Sequence, residues 1–242
     1  MNAVNNFLFI GLPYLAIAVF LVGTIYRYRA TGFKYSSLSS QFLEGSGIYI
    51  FAVLFHWGIL IVFLGHLIAF LFPNATLAWH SSATRLIADE IVIFTFGLAL
   101  LIGLAGLFIR RISRPRVQVV TSRMDILIEL VLLTQIVFGL WIALGYRWGY
   151  YWFASDMSPY LWSLLKFGPQ VEAVSAMPWV IKTHIVGAFL ILGILPFTRL
   201  VHFLVAPFHY TWRDYQQVIW YWDRKLIRDP ASAWTETRPK NT

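Results

Sequence analysis

The chain alternates between long apolar runs and short polar connections that carry arginine. Five runs, residues 4–26, 47–72, 86–109, 124–144 and 179–205, are long enough to cross about 30 Å of hydrocarbon at roughly 1.5 Å of rise per residue. They predict an all-α fold: a bundle of five transmembrane helices over residues 1–205, followed by a cytoplasmic tail over 206–242. The first arginine, Arg27, follows the first run instead of preceding it, so that run reads as a retained span and not as a signal peptide. The longest connection, 145–178, holds YRWGYYWF (146–153), whose rings read as an aromatic anchor belt, with part of the connection lying along the interface. Pro196 inside the fifth run predicts a kink.

The basic residues fall on alternate connections. Arg27, Arg29 and Lys34 follow the first run and Arg110, Arg111, Arg114, Arg116 and Arg123 the third. Arg213, Arg224, Lys225, Arg228, Arg238 and Lys240 follow the fifth, while the opposite side holds only Arg85, Arg147 and Lys166. The positive-inside rule then places the N-terminus outside and the C-terminus in the cytoplasm. Composition agrees with a membrane chain: 12% of residues are charged, about half the usual share in soluble domains. The net charge of +8 is therefore loop charge that sets topology, and no nucleic-acid surface is expected. The chain has no cysteine, which excludes disulfides, iron–sulfur ligation and thiolate metal sites on it.

Histidine changes the picture. His80 and His209 fall in polar stretches and read as ordinary interfacial residues, but His56, His66, His184 and His202 lie inside the second and fifth runs. An imidazole in hydrocarbon needs a partner. One such residue is adequately explained by an interhelical hydrogen bond; four, split two and two between only two spans, point to haem ligation by one neutral imidazole on each face. Antiparallel spans match His56 with His202 at the inner depth and His66 with His184 at the outer. The ten- and eighteen-residue spacings give rises of about 15 Å and 27 Å, and hence two irons about 21 Å apart. Eighteen residues make five full turns, so His184 and His202 should share a face, whereas His66 should be rotated by roughly 80° from His56. Gly58, Gly65, Gly187 and Gly193 are small positions that could admit the rings.

The segments PYLAIAVFLVGTIYRY (13–28), LFHWGILIVFLGH (54–66), RRISRPRV (110–117), DILIELVLLTQIVFGL (125–140) and KTHIVGAFLILGILPFTRLVHFLVAP (182–207) resemble the gamma subunit, a dihaem cytochrome b, of membrane-bound respiratory nitrate reductase. The resemblance implies two haems b in a prokaryotic cytoplasmic membrane and the same two ligand pairs. It implies quinol oxidation at the outer haem and electron transfer through the inner haem to an iron–sulfur beta subunit. A molybdenum-containing alpha subunit would lie beyond. The family's quinol site maps to Gly65, His66 and the start of the third span, where the family's lysine is replaced by Arg85. Arginine can hydrogen-bond a quinone oxygen but cannot usefully give up a proton. Asp89, one turn on, is either a helix-dipole partner or a proton acceptor, and Glu90 reads as an interfacial charge. Arg111 matches a position near the inner haem's propionates. Arg199, one turn before His202, could bond them as well or snorkel to lipid phosphate. The tail segment WRDYQQVIWYWDRKLIRD could dock the partner subunits or lie in the interface.

Two rivals remain at this point. Cytochromes b of similar design serve sulfur-metabolism and heterodisulfide-reductase-like complexes. A haem-free proton channel or transporter would use the histidines differently, and the scarcity of intramembrane carboxylates counts against it.

Overall fold

The structure, a computed structural model, describes residues 3–31 and 48–205; His209 and the rest of the tail lie outside the described residues. Every regular element among them is helical. Five helices are long and apolar enough to span a membrane: Ala3–Ala30, Ile48–Leu71, Ala83–Ser113, Arg123–Gly145 and Trp179–Phe197. The second span packs on the third, the third on the fourth, the fourth on the fifth and the fifth on the first. Among the described residues, the second and fifth spans do not pack closely on each other. The two histidine-bearing helices are thus separated by a slot. Leu64, Ile68, Ile91 and Ile102 lie exposed on the helix surfaces, as side chains facing lipid should.

Two glycines make the tightest crossing. A methyl group on Gly58 would stand 2.8 Å from Leu100 Cα, and one on Gly103 would meet the backbone of Phe51 and Phe55. The second and third spans therefore touch backbone to backbone. Around the crossing Phe55, Leu100, Leu104, Ile128 and Leu132 form one apolar cluster. Gly58 thus serves helix approach and not a cofactor ring, whereas Gly193 only lies beside Ala16 of the first span, where a methyl would make ordinary contact.

The fifth span departs from the expected kinked helix over 179–205. Its α-helix ends at Ile194, a 3₁₀ turn covers Leu195–Phe197, Thr198 is extended, and a second 3₁₀ segment runs over Arg199–Val205. Pro196 lacks an N–H and crowds the preceding turn, and Thr198 converts the defect into a break. Its hydroxyl donates to Leu195 O (2.8 Å) and accepts from Leu200 N–H (3.2 Å). Arg27 of the first span donates to the carbonyls of Pro196 and Thr198. The five-turn phase between His184 and His202 therefore does not apply, because no continuous helix joins them.

The third span is longer than 86–109 and carries Arg85 and Asp89 near one end and Arg110 and Arg111 near the other. At 31 residues it is about 46 Å long, so both ends extend beyond the hydrocarbon.

The connection 145–178 is a folded cap more than a belt. Met157, Tyr160, Leu164, Val171 and Val174 are buried with Phe9, Ala16 and Phe189 of the first and fifth spans. Trp148, Tyr151 and Phe167 keep exposed rings, as a rim would. Ser158 Oγ donates to Ala69 O and Trp162 Nε1 to Phe70 O, both at 2.9 Å. These carbonyls belong to the last turn of the second span, where intrahelical donors run out. After an α-helical turn at Ala3–Asn6, the first span has a π-helical turn at Phe7–Gly11, just before Pro13. Pro13 has no N–H to give Phe9 O, four residues earlier. Tyr160 Oη donates to that carbonyl instead (2.8 Å), from a side chain only 2% exposed at the residue level.

Tyr160→Phe keeps the ring and orphans a buried carbonyl, so it should cost about 1–3 kcal/mol. Thermal unfolding in detergent checks this; an unchanged midpoint would show that Phe9 O has another donor.

Candidate functional site

At one end of the bundle, where Arg27, Arg110 and Arg111 gather, His56 and His202 come together across the slot. Their ring centres are 6.5 Å apart, with planes 58° from parallel. Two imidazole nitrogens on opposite sides of one metal, each bond about 2 Å, set ring centres roughly 6–7 Å apart. His56 Nδ1–H donates to Ala52 O and His202 Nδ1–H to Arg199 O, each at 2.7 Å. A carbonyl can only accept, so the proton sits on Nδ1 and Nε2 keeps its lone pair. That is the tautomer a metal ligand needs, with the ring held by its second nitrogen.

His66 repeats the arrangement ten residues on, donating from Nδ1–H to Val62 O (2.8 Å). His184 is close enough to His66 to interact with it electrostatically. Its own Nδ1 is buried without a well-formed hydrogen bond, beside the Gln135 backbone. Gln135 Nε2 donates to the His184 carbonyl (2.9 Å), and a methyl on Gly139 would stand 3.1 Å from the His184 ring. The fourth span thus seats His184 from behind. The His56 and His202 rings are spaced to hold one metal between them, His66 and His184 lie within electrostatic reach of each other, and the tautomer is fixed at three of the four histidines.

The arginine end also contains two acids that pattern reading passed over. Asp125 is 3% exposed and forms a capping box with Ser122: Ser122 N–H donates to Oδ2 (2.8 Å) and Asp125 N–H to Ser122 Oγ (3.1 Å). Arg199 Nε meets Asp125 Oδ1 at 2.9 Å, and Arg199 also donates to Val120 O. Arg111 Nε donates to Glu129 Oε1 (2.8 Å), and its Nη1 lies 3.7 Å from Asp125. Both candidate propionate-binding arginines are therefore engaged with the acids of the fourth span. Asp125 fixes Arg199, and the Arg199 carbonyl fixes His202. The sequence signal was available: two acids four apart in DILIE, on one face of an otherwise apolar helix, require cationic partners. These acids also weaken the objection to a proton channel, but both are matched by guanidiniums that hold their protons.

At the opposite end, under the cap, Gly65 adjoins Tyr150, whose hydroxyl a Cβ at Gly65 would strike. Burial, and secondarily the Asp89 charge, pushes the Tyr150 phenol well above its ordinary range, so it stays protonated. Arg85 is exposed and caps the short helix Pro73–Trp79: its Nε donates to Trp79 O (2.6 Å), and its guanidinium lies 4.8 Å over the Trp79 ring. Asp89 Oδ2 accepts from Trp79 Nε1 (2.9 Å) and from His80 Nε2 (3.0 Å). His80 is thus no ordinary interfacial residue: it is 5% exposed and paired with a carboxylate. Gly65, Arg85 and Asp89 share one mouth, joined through Tyr150, His80 and Trp79. Sequence reading missed the last link because HSSATRLIAD puts eight residues between His80 and Asp89.

Over residues 5–221 the sequence matches the family described as nitrate reductase gamma subunit. The chain belongs to that family. It is 34% identical over 218 residues to the respiratory nitrate reductase 2 gamma chain of Escherichia coli K12, an alignment covering 88% of this chain and 96% of that one. It is 30% identical to the nitrate reductase gamma chain of Bacillus subtilis 168, with 84% and 93% covered. The respiratory nitrate reductase 1 gamma chain of E. coli is 31% identical, with 90% and 98% covered. Membership and the five spans make this gamma subunit an integral multi-pass protein of the bacterial cytoplasmic membrane, within an electron-transporting oxidoreductase.

Asp125→Ala removes the carboxylate that holds Arg199 and the cap of the fourth span. Breaking a buried ion pair typically costs about 3–5 kcal/mol. Asp125→Asn, which keeps a hydrogen-bonding oxygen toward Ser122, should lose less. Thermal unfolding of both variants in detergent tests the order; equal midpoints would mean that Arg199 does not depend on Asp125.

Proposed function

We propose that this gamma subunit is a dihaem cytochrome b that oxidises quinol and passes electrons to an iron–sulfur beta subunit and, beyond it, a molybdenum-containing alpha subunit. The observation that carries the reading is the His56–His202 pair: two rings 6.5 Å apart, each with Nδ1–H tied to a backbone carbonyl and Nε2 left over. His66 and His184 supply the second pair. When bound, haem b supplies a one-electron centre at each depth, which a chain without cysteine cannot provide for itself. Arg111 and Arg199, close to the first pair, are the cations suited to its propionates.

The cap end faces outside on this reading and the arginine end faces the cytoplasm, supported by the skew of basic residues between the two sides. Quinol binds at the cap end near Gly65, His66, Arg85 and Asp89, and its protons leave on that side. The arginine end and the tail 206–242 then face the partner subunits.

Reduced-minus-oxidised spectra of the purified complex should show b-type haem, two per gamma chain. His66→Ala and His202→Ala should each remove one haem and leave the other. A protein without haem, or variants that both keep two, would refute the assignment.

A further inference from the structure

The cap end holds a group that the haem reading does not use. His80 sits just past the short helix Pro73–Trp79, its side chain 2% exposed. Its Nε2–H donates to Asp89, which leaves Nδ1 as the basic nitrogen. That nitrogen is buried and has no hydrogen-bond partner. A buried polar atom without a partner is costly and calls for an explanation, and a missing ligand that carries a hydroxyl is a direct one. The ring lies 5.1 Å from that of Tyr150, whose hydroxyl adjoins Gly65, the neighbour of His66. The unpartnered nitrogen and the quinol position of the preceding section therefore lie on either side of one tyrosine.

We propose that His80 is the proton acceptor for quinol at this mouth and that Asp89 is its positioning residue. The proposal rests on the quinol reading above and adds only acid–base chemistry to it. The O–H bond of the quinol breaks, its electron pair stays on the quinol oxygen, and the proton goes to His80 Nδ1. Asp89 holds the tautomer that leaves Nδ1 basic and stabilises the imidazolium that forms. The proton on Nε2 then leaves through Asp89, whose side chain is 41% exposed and opens to water. This leaves the ring as the Nδ1–H tautomer, so the step accounts for one of the two quinol protons. Arg85 cannot fill this role, because guanidinium keeps its protons.

Other charged or titratable groups stand on the elements of this end. Glu90 of the third span is within electrostatic reach of both His80 and Arg147. Tyr150 stands on the cap, and Asp156, on the cap's π-turn, accepts from Ser155 (2.7 Å). Arg85 is engaged with Trp79, and His66 lies on the second span. Glu90 is half-buried with Oε1 shielded from water and is the nearest rival base, so the test includes it.

The test uses the intact complex, with menadiol as donor across a pH series and dithionite-reduced spectra as a check on folding and haem content. In wild type the rate should fall on the acid side, as a base that must be unprotonated requires. His80→Gln should lower kcat by about 10²–10⁴-fold and flatten that acid limb. KM and the equilibrium binding of oxidised menadione should change little. Asp89→Asn should show a smaller loss of the same kind, partly restored by Asp89→Glu, while Glu90→Gln keeps the acid limb. If His80→Gln has normal spectra and a wild-type pH profile, or if Glu90→Gln alone removes the limb, this proposal is overturned and the quinol reading stands. If menadiol cannot reduce the haem of the wild-type complex, the quinol reading fails and takes this proposal with it.

Discussion

Hydrocarbon offers no water to an unpaired polar group, and the structure is organised by that constraint. Wherever the chain breaks its own helical ladder, a side chain from elsewhere makes up the missing bond. Pro13 withholds a donor from Phe9 O, and Tyr160, about 150 residues away, supplies one. Pro196 ends the fifth helix early, and Arg27 of the first span covers the exposed carbonyls. The histidines obey the same rule. Three of the four place Nδ1–H on a carbonyl of their own helix or turn, so only Nε2 remains to be satisfied. An acceptor nitrogen left facing an interhelical slot in hydrocarbon is a site suited to a metal ligand, and His56 and His202 present two of them to each other.

The break at Pro196 follows from the same logic. A continuous fifth helix would place His202 by helical phase alone. The break gives that placement to a short 3₁₀ segment, and the segment is anchored by Arg199 on Asp125. Asp125 is in turn fixed by the N-terminal cap of the fourth span. One ligand's aim is thus set by three elements, not one, and the ring is tied to an ion pair whose rupture is costly. The roughly 80° offset between His56 and His66 becomes tolerable for this reason. The second span keeps strict helical phase, and the adjustment is made by its partner.

The features legible in the sequence were those with local signals. The five spans and the four intramembrane histidines were visible from apolar run length and from imidazoles in oil. Matching by depth put His56 with His202, and the rings do meet. The features that were not legible depend on residues distant along the chain. Arg111 and Arg199 read as propionate ligands or snorkelling charges, and their pairing with Glu129 and Asp125 was hidden because those carboxylates lie on another span. Asp125 and Glu129 were in view, but were taken with the rest of an apolar segment. The cap was not legible beyond the rings of 146–153: Trp148 and Tyr151 face out as a belt would, but nothing local shows Tyr160 turning inward to a carbonyl. His80 was read as interfacial for want of a helical-period partner; Asp89 reaches it only because a tight turn, Ser81 and Ser82, reverses the chain between two helices.

The two ends of the bundle pair charge in chemically different ways. At the arginine end, two carboxylates meet two guanidiniums, and guanidinium does not release a proton at any pH a cell reaches. That end can hold charge and position a ligand, but the guanidiniums cannot trade protons with a substrate. At the cap end a carboxylate meets an imidazole, the one side chain built to change its proton near neutrality. An electron carrier that takes its electrons from a two-proton donor needs proton exchange at one end only, the end where the donor binds. The distribution of Arg111 and Arg199 against His80 follows that division. It places the exchangeable proton on the side with few basic residues, where the positive-inside rule puts the exterior.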